Sequence, residues 1–404
     1  MKLIILTQYY PPEIGAPQAR LSDLARRFVA KGHQVVVLTA MPNYPTGRIQ
    51  DGYGGLFRRE RLESVEVLRT FIYPTQKVDF VHRLGNYFSF VLSSSICGSF
   101  ALGEADYLLV ESPPLFLGLA GFWLSRLKHA KLIFNVSDLW PESAASLGVL
   151  DRHGMAFRMT EKLEAFCYKH AWLITGQSRT IVAEIQRRYP DLQTFHLSNG
   201  VDTERFEPNK TQQEVRAELS SNGDFVILYA GLHGLAQGLE QVIKAAAVLK
   251  GQEGFRFVLI GDGPRKRMLL SLAHAQNLDN VCFFDPRPAC EMPAVLTAAD
   301  AVLVTLKGQI TGAVPSKLYE AMACGRPVIL VAEGEAAEIV KRHKAGIVIE
   351  PGDTTALAQA FTLLRDNPEL RFRMGANGRE AVRVHFNRAL IASKFIDHLE
   401  VNLN

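Results

Sequence analysis

A proline-rich loop near the N-terminus is the first segment with the composition of a ligand-binding turn. The loop, YPPEIGA at 10–16, follows the apolar run 2–6 and precedes a helical pattern at 19–31. A glycine in such a loop lets the backbone approach an anion, and a helix N-terminus adds unpaired N–H groups and a positive dipole end. The pattern predicts an anion-binding turn, although a tight strand-to-helix turn without a ligand would have the same sequence.

A carboxylate follows another apolar run at a position suited to acid–base chemistry. Asp138 comes two residues after the run 131–136, within the segment SDLWPE at 137–142. At the carboxyl end of a buried strand, Asp138 could orient a hydroxyl group or accept its proton. Capping of the turn before Pro141 is an equal alternative, and Glu142 is the reserve candidate.

A glycine turn, GDGP at 261–264, follows the apolar run 255–260. It departs from the dinucleotide fingerprint GxGxxG, because Lys266 occupies the last position and no acidic residue is securely placed about 20 residues further on. The segment is therefore predicted to be a turn that borders a nucleotide, with Arg265 and Arg267 nearby.

Length and composition limit the class of protein. The chain has 404 residues, too many for one ordinary core, so two domains are expected. Hydrophobic residues make up 48% and charged residues 21%, as in soluble globular proteins. The net charge is only +4, and charges of both signs alternate, as at 58–63, so no nucleic-acid partner is expected.

The cysteines and the N-terminus bear on compartment and metal binding. Five cysteines are scattered without a CxxC pair or a histidine at metal-ligand spacing: Cys97, Cys167, Cys282, Cys290 and Cys324. An odd, unpaired set favours a reducing cytoplasm. The first apolar run is too short for a signal peptide. No DxD loop or histidine–carboxylate cluster is apparent, so neither a metal nor another cofactor is expected.

The elements that would position these residues alternate between strands and helices. In the front half, short apolar runs are predicted as strands at 2–6, 34–38, 65–69, 107–110, 131–136 and 172–175. The second half restarts the pattern with strands predicted at 225–229, 255–260, 281–284, 301–305 and 327–331. Continuous apolar strands separated by helices indicate parallel sheets that are covered on both faces.

The repetition predicts an α/β fold with two Rossmann-like, doubly wound domains that face each other across a cleft. An Asn-Gly turn within 196–202 marks the linker. The predicted domains are 1–198 and 199–385, and the family resemblance given below implies that the first binds an acceptor and the second a nucleotide. A final segment, 386–404, has helical apolar spacing.

Six motifs in both halves carry a resemblance to a known family. In order they are YYPPEIGAPQAR (9–20), PNYPTG (42–47), DLWPES (138–143), NGVD (199–202), GDGP (261–264) and SKLYEAMACGRPVIL (316–330). The chain resembles the GT-B-fold retaining glycosyltransferases of family 4, in the branch that builds bacterial surface polysaccharides, including the N-acetyl-fucosaminyl and colanic-acid-type enzymes. The resemblance covers nearly the whole chain.

The resemblance implies a nucleotide-sugar donor and assigns its contacts. Glu320 would accept hydrogen bonds from the ribose hydroxyls, and Asp138, Lys317 and Glu320 are the predicted catalytic residues. The other residues predicted to bind the donor are Gly15, Ala16, His233, Gly234, Gln237, Gly263, Arg287, Ser316 and Leu318. The final helix would pack back on the front domain.

The chain departs from the usual family pattern at three positions. Gly312 stands where a glutamate normally contacts the sugar, and Leu232 and Gln237 replace the usual arginine and lysine. Those cations normally offset the charge of the departing diphosphate. We expect Lys317 to replace them, together with the hydroxyl and N–H of Ser316 and the amides after Gly234.

The acceptor is implied to be a polyprenyl-diphosphate-linked saccharide, contacted by Asn43, Tyr44, Trp140 and Glu142. The apolar stretches 86–102 and 113–127 could dock on lipid, or could equally be helices that cover a sheet. Cations surround them, namely Lys77, His82, Arg83, Arg126, Lys128 and Lys131. We expect a cytoplasmic protein that contacts the inner face of the plasma membrane peripherally.

These features predict a retaining transferase that moves a sugar from a nucleoside-diphosphate donor, with UDP preferred, to a lipid-linked or growing saccharide. The resemblance suggests N-acetyl-L-fucosamine or a related hexosamine as the sugar. A UDP-sugar epimerase of the same architecture and an inactive nucleotide-sugar-binding subunit are the alternatives. The segment DLWPES favours an enzyme with a separate acceptor over an epimerase. Because Gly312 replaces the usual glutamate, an inactive binding subunit remains an alternative. A nicotinamide dehydrogenase is disfavoured by the imperfect glycine fingerprint.

Overall fold

The computed structural model describes residues 1–76, 80–146, 148–208, 213–220, 223–308 and 310–403. Contacts divide the chain into two compact units. Unit 1 comprises 1–199 together with 389–404, and unit 2 comprises 200–388. The boundaries predicted from the sequence are 198 and 385, so each differs from the structural division by one to three residues.

Unit 1 contains an eight-stranded sheet in the order β3-β4-β2-β1-β5-β6-β7-β8. Neighbouring strands pair in parallel except β3, which pairs antiparallel with β4. The strands are β1 (Lys2–Leu6), β2 (Gln34–Ala40), β3 (Phe57–Leu62), β4 (Val65–Thr70), β5 (Tyr107–Ser112), β6 (Lys131–Val136), β7 (Leu173–Gly176) and β8 (Thr194–His196).

Helices connect these strands, as the alternating pattern predicts. They are α1 (Ala16–Ala30), α2 (Phe80–Ala101), α3 (Leu117–Leu127), α4 (Glu142–Ser146), α5 (Met155–His170) and α6 (Arg179–Arg188). Successive residues of β1 point to opposite faces, so Ile4 and Leu6 join one buried cluster while Leu3 and Ile5 join the other. Both faces of the sheet are therefore covered, as its continuous apolar strands require.

Unit 2 contains a six-stranded sheet in the order β11-β10-β9-β12-β13-β14 with parallel pairing. Its strands are β9 (Phe225–Ala230), β10 (Phe255–Ile260), β11 (Val281–Phe284), β12 (Ala301–Thr305), β13 (Val328–Val331) and β14 (Gly346–Ile349). Its helices are α7 (Gln213–Leu219), α8 (Glu240–Val248), α9 (Lys266–Ala275), α10 (Met292–Ala298), α11 (Ser316–Ala323), α12 (Glu335–His343), α13 (Thr354–Asp366) and α14 (Pro368–His385).

The last helix, α15 (Arg388–Val401), packs on the sheet of unit 1. Its Phe395 and Leu399 side chains are fully buried and belong to the same cluster as Leu3 and Ile5. The Tyr107 hydroxyl also donates a hydrogen bond to the Leu399 carbonyl at 2.7 Å. Unit 1 is therefore built from both ends of the chain.

No helix within the described ranges has both the length and the apolar character needed to span a bilayer.

Candidate active site

Two glycine turns meet at the carboxyl ends of β9 and β10 in unit 2. Gly231 and Gly261 both have a φ of 142°, a backbone region that favours glycine. A Cβ on Gly261 would lie 1.9 Å from the Gly231 carbonyl oxygen, and a Cβ on Gly231 would lie 1.8 Å from the Nζ of Lys317. Only glycine leaves room for the two turns and the lysine to approach each other this closely.

Lys317 lies in the first turn of α11 with its ammonium directed at these turns. Its Nζ donates a hydrogen bond to the Tyr229 hydroxyl at 3.0 Å and lies 4.4 Å from the centroid of that ring. Among the described residues no carboxylate lies within ion-pair distance of it. Burial lowers the pKa of Lys317 to about 8, against the opposing attraction of Glu320. The site therefore holds a cation without an anionic partner.

His233 adds a buried neutral donor beside the same turns. Its side chain is fully buried, and neither ring nitrogen has a hydrogen-bond partner among the described residues. Burial lowers the pKa of His233 to about 4, and the neighbouring cations Lys266 and Lys317 act in the same direction. Two backbone hydrogen bonds fix the position of His233. Its backbone N–H donates to the Asp262 carbonyl at 2.8 Å, and its backbone carbonyl accepts from the Arg265 N–H at 2.9 Å.

The N-terminus of α11 completes this group of polar atoms. Pro315 precedes the helix, and Ser316 and Lys317 begin it with N–H groups that an α-helix leaves without internal partners. Leu318 is different, because its side chain is fully buried in the core and its N–H donates to the Pro315 carbonyl at 3.0 Å. The predicted contact of Leu318 with a ligand therefore has no free group to make it.

Glu320 lies one turn further along α11 than Ser316. Burial raises its pKa, while Lys317, Arg388 and Arg205 attract the carboxylate and lower it. The structure thus brings together Ser316, Lys317 and Glu320 on one helix and sets Lys317 against Gly231.

The remaining donor residues predicted in unit 2 have different surroundings. A Cβ on Gly263 would lie 2.6 Å from the His233 carbonyl oxygen, and one on Gly234 would lie 2.5 Å from Oε1 of Gln237. That Gln237 oxygen is buried without a partner among the described residues. Arg287, by contrast, is engaged in an ion pair with Glu218 at 2.7 Å.

In unit 1, Glu13 has a structural role, although it is not among the predicted site residues. Glu13 is only 3% exposed, and its carboxylate accepts hydrogen bonds from the N–H groups of Asn43 and Tyr44, both at 2.8 Å, and of Tyr10 at 3.2 Å. Burial nevertheless raises its pKa. Glu13 therefore ties the loop after β1 to the segment that carries two predicted acceptor residues. Its position as the single acid in the proline-rich loop is the signal that could have indicated it.

The other end of that loop, at Gly15, lies close to the first turn of α1. Its backbone is extended, with a φ of 175°, and it precedes Ala16, the first residue of α1. A Cβ at Gly15 would lie 2.4 Å from Oε1 of Gln18, an oxygen that is buried without a partner among the described residues. The turn is thus tightly packed against its own helix.

Two pockets lie side by side in unit 1. The first, of about 230 Å³, is lined by polar and aromatic side chains that include Tyr9, Asn43 and Tyr44. The second, of about 290 Å³, is mainly apolar and includes Phe116 and Trp140, whose ring centroids are 6.0 Å apart. Three of the four predicted acceptor residues therefore line one or the other pocket.

Asp138 and Glu142 lie close together in unit 1 at the start of α4. Burial and the nearby Glu142 raise the pKa of the Asp138 carboxyl, while the Ser143 side chain and the Leu139 N–H lower it. Glu142 accepts a hydrogen bond from Arg188 at 3.0 Å. Asp138 is therefore held beside the first turn of α4, and the structure gives Glu142 a structural partner rather than a place in either pocket.

Several cations that the sequence places near the apolar stretches are already engaged. The Lys128 ammonium donates to the Ser99 carbonyl at 2.7 Å, and that of Lys131 donates to the Asn402 carbonyl at 2.6 Å. His82 stacks on Tyr73 at 6.4 Å. Arg126 is exposed, and Lys77 lies outside the described residues.

No group of three or more metal-ligating side chains occurs within the described part of the chain.

Two family models match the chain, one in each half. The family described as Glycosyl transferase 4-like domain matches residues 15–200, and Glycosyl transferases group 1 matches residues 211–381. The chain belongs to glycosyltransferase family 4.

Among curated relatives, this family 4 glycosyltransferase is similar to the putative colanic acid biosynthesis glycosyl transferase WcaI of Escherichia coli. The two are 25% identical over 386 residues, which cover 92% of this chain and 95% of WcaI.

Solved structures share the fold of this glycosyltransferase. The sucrose-phosphate synthase of Thermosynechococcus elongatus has a TM-score of 0.77 at 20% identity and covers 100% of this chain and 99% of its own. HepE of Anabaena, solved in complex with UDP, has a TM-score of 0.74 at 18% identity and covers 99% and 100%. Together with the two parallel sheets, these likenesses confirm the predicted GT-B fold.

The structure also describes the positions at which this glycosyltransferase departs from the usual family pattern. Leu232 is 45% exposed, and its carbonyl accepts the Tyr229 hydroxyl at 2.7 Å. Gly312 has a φ of 76°, in the region that favours glycine, so a glutamate there would be strained. Lys317 contacts the same Tyr229 hydroxyl. A cation is therefore present beside the turn where the usual arginine is missing.

Proposed function

We propose that this glycosyltransferase is a retaining enzyme that moves a sugar from a UDP-sugar to a lipid-linked or growing saccharide during the synthesis of a bacterial surface polysaccharide. The likeness to WcaI, named for colanic acid biosynthesis, supports the pathway, and the UDP complex of HepE supports the nucleotide. By resemblance, the sugar would be N-acetyl-L-fucosamine or a related hexosamine.

The observation that carries the proposal is the unpaired ammonium of Lys317 against the Gly231 turn. A half-buried cation without an anionic partner is unfavourable, and an anionic ligand would pair with it. Glycine turns at the carboxyl ends of parallel strands are where such folds bind phosphates. A nucleoside diphosphate supplies the negative charge that this position lacks.

Each donor residue then has a defined role. Lys317, the Ser316 hydroxyl and the first N–H groups of α11 stabilise the negative charge that develops on the departing diphosphate. The neutral His233 contributes an N–H donor without adding charge, because its pKa of about 4 keeps it unprotonated at neutral pH. Glu320 accepts hydrogen bonds from the ribose hydroxyls, and the glycines 234 and 263 let the backbone approach.

Unit 1 would bind the acceptor. Asn43 and Tyr44 contact its saccharide, and Trp140 contacts its apolar part. Asp138 orients the attacking hydroxyl, for which the raised pKa of its carboxyl is suitable. Peripheral contact with a membrane is supported by exposed apolar side chains on α2 and α3, namely Phe88, Leu92, Ile96, Phe100, Leu119, Trp123 and Leu127.

Thermal unfolding with UDP, GDP, ADP and NADH tests the donor site. A ligand present at about 100 times its dissociation constant adds about 2.7 kcal/mol of stability, which shifts the midpoint by several degrees. We expect UDP to stabilise the wild type, and Lys317→Met and Glu320→Gln to lose most of that shift. Lys250→Gln removes an exposed lysine of the same unit and should keep the shift. Stabilisation by NADH alone, or an unchanged shift in Lys317→Met, would overturn the proposal.

Transfer from UDP-sugars to lipid-linked saccharides tests the reaction. We expect a product whose anomeric configuration, measured by NMR, equals that of the donor. Binding of UDP without transfer to any acceptor would instead support an inactive binding subunit, and interconversion of the donor sugar without an acceptor would support an epimerase.

A further inference from the structure

The two pockets of unit 1 meet at Arg83 and Tyr87. Both residues line the polar pocket of about 230 Å³ and the apolar pocket of about 290 Å³. They lie one turn apart on α2, and an Nη of Arg83 is 3.4 Å from the Tyr87 hydroxyl. A ligand that occupies both pockets must therefore pass the guanidinium of Arg83.

The two pockets differ in the chemistry that they offer. The polar pocket presents Asn43, Thr46, Gln76 and Asn86, which are suited to a hydroxylated group. The apolar pocket presents hydrocarbon and aromatic surfaces, from Leu84, Pro113, Pro114, Leu115, Phe116, Trp140, Val149 and Leu150. Together they match a molecule with a polar head at one end and an apolar tail at the other.

The charge at the junction indicates what joins the head to the tail. Arg83 is exposed, and no carboxylate of the described residues lies within ion-pair distance of it. The hydrogen bond with Tyr87 raises the pKa of the Arg83 guanidinium, which therefore stays charged. A planar guanidinium binds phosphate oxygens in pairs, and an unpaired one at this point is complementary to an anionic linkage.

The apolar pocket continues into a surface that a longer tail can follow. Leu84 lies in the pocket, and it begins a row of apolar residues spaced four apart on one ridge of α2. The rest of the row is exposed and consists of Phe88, Leu92, Ile96 and Phe100. The pocket is thus open at the end where a hydrocarbon chain would leave it.

We propose that Arg83 binds the phosphate or diphosphate of an amphiphilic acceptor, with the saccharide in the polar pocket and the hydrocarbon tail in the apolar pocket. The inference rests on the proposed lipid-linked acceptor and adds the residue that recognises its anionic linkage. It makes Arg83 a determinant of specificity, since a neutral glycolipid would fill both pockets but leave the guanidinium without a partner.

Binding of farnesyl diphosphate tests this assignment without requiring turnover. Quenching of tryptophan fluorescence reports occupancy beside Trp140, and saturating UDP keeps the diphosphate probe out of the donor site. We expect farnesyl diphosphate to bind at least about tenfold more tightly than farnesol or inorganic diphosphate. Arg83→Gln should abolish that preference, and Arg83→Lys should restore part of it. Arg158→Gln, which removes an exposed arginine on α5 of the same unit, is the matched control and should bind like the wild type.

Equal affinity for farnesol and farnesyl diphosphate, or an Arg83→Gln protein that keeps the preference, would overturn the assignment. Vesicles of phosphatidylglycerol identify a competing source of phosphate. If Arg83→Gln weakened binding to these vesicles but not to farnesyl diphosphate, a lipid headgroup would be the partner of Arg83 and the acceptor assignment would be wrong. Normal, Arg83-dependent binding of farnesyl diphosphate without sugar transfer would contradict the proposed function alone and support the assignment of Arg83.

Discussion

The two units treat their buried charges in opposite ways. In unit 1 the guanidinium of Arg20 pairs with Glu111 at 2.6 Å, and both side chains are at most 6% exposed. Glu111 also accepts hydrogen bonds from Asn135 and Ser137, each at 2.5 Å. In unit 2 the half-buried Lys317 has a phenol as the hydrogen-bond partner of its ammonium.

The difference separates a charge that is paired within the fold from a charge that the proposed ligand would pair. A buried charge is costly unless it is paired and hydrogen-bonded, and in unit 1 Arg20 has a carboxylate partner, although its Nε has no hydrogen-bond partner among the described residues. His233 is a second polar group of unit 2 without a partner, because neither of its buried ring nitrogens has a hydrogen bond among the described residues. Unsatisfied polar groups beside glycine turns therefore indicate the proposed ligand site of unit 2 more clearly than residue type does.

The largest expected effect is that two substitutions change the free energy of unfolding in opposite directions. Glu111→Gln leaves the buried Arg20 without its counter-charge and should lower the free energy of unfolding by about 3 kcal/mol or more. Lys317→Met removes a half-buried charge that has no counter-charge, and should raise the free energy of unfolding by about 1 kcal/mol in the absence of nucleotide. Urea unfolding of the unliganded proteins measures both.

A matched control for Glu111→Gln is Glu184→Gln, whose partner Arg187 is 71% exposed. That exposed pair should contribute far less to the free energy of unfolding than the buried pair does. If Lys317→Met destabilised the free protein as strongly as Glu111→Gln does, Lys317 would be a structural residue and the contrast between the units would fail.

The pH dependence of UDP binding gives a second test of the same contrast. Because burial lowers the pKa of Lys317 to about 8, the free protein carries this charge below pH 8 and loses it above. The affinity for UDP should therefore be constant near pH 7 and fall by up to about tenfold per pH unit above 8. Lys317→Arg stays charged, so its affinity should not change over this range. Calorimetric titration between pH 7 and 9.5 measures the effect, and a parallel fall in both proteins would refute the role of Lys317.

The unliganded protein should show the opposite trend in stability. Between about pH 8 and 10.5 the unfolded chain binds more protons at this lysine than the folded chain does. The contribution of Lys317 to the free energy of unfolding therefore rises with pH in that window.

The fold follows from the sequence wherever a strand is buried on both faces. Apolar runs such as 34–38 and 255–260 predict β2 and β10, since a buried parallel strand is apolar throughout. The edge strand β3 was not predicted, because its sequence FRRERL is charged and mostly exposed. The short edge strand β14 was also missed, although its sequence GIVI is apolar. A charged edge strand such as β3 has no apolar run, so an apolar pattern does not reveal it.

The candidate site was predictable only where one segment carries several of its residues. The motif at 316–330 identifies Lys317 and Glu320 as neighbours on one helix. The contact of Lys317 with Gly231 depends on the position of α11 beside the end of β9, which no local sequence pattern indicates. Arg83 lies far in sequence from Trp140, and the pocket that they share forms only after α2 and the loop before α4 have packed together. Long-range contacts of this kind carry no signal in a single sequence.

The smallest expected effect is that of Glu142→Gln, in a cluster where Arg188 bridges two acids that differ in burial. Glu164 is 1% exposed and Glu142 is 30% exposed, at 2.9 and 3.0 Å from the same guanidinium nitrogen. Glu164→Gln should lower the free energy of unfolding by about 3 kcal/mol, and Glu142→Gln by less than about 1 kcal/mol, because water screens and replaces the exposed partner. Urea unfolding of both variants compares them directly. Since Glu142 lines neither pocket, its variant should also keep the KM for the acceptor. Equal losses of stability would mean that pairing rather than burial decides the cost, whereas a raised acceptor KM in Glu142→Gln would return this residue to the acceptor site.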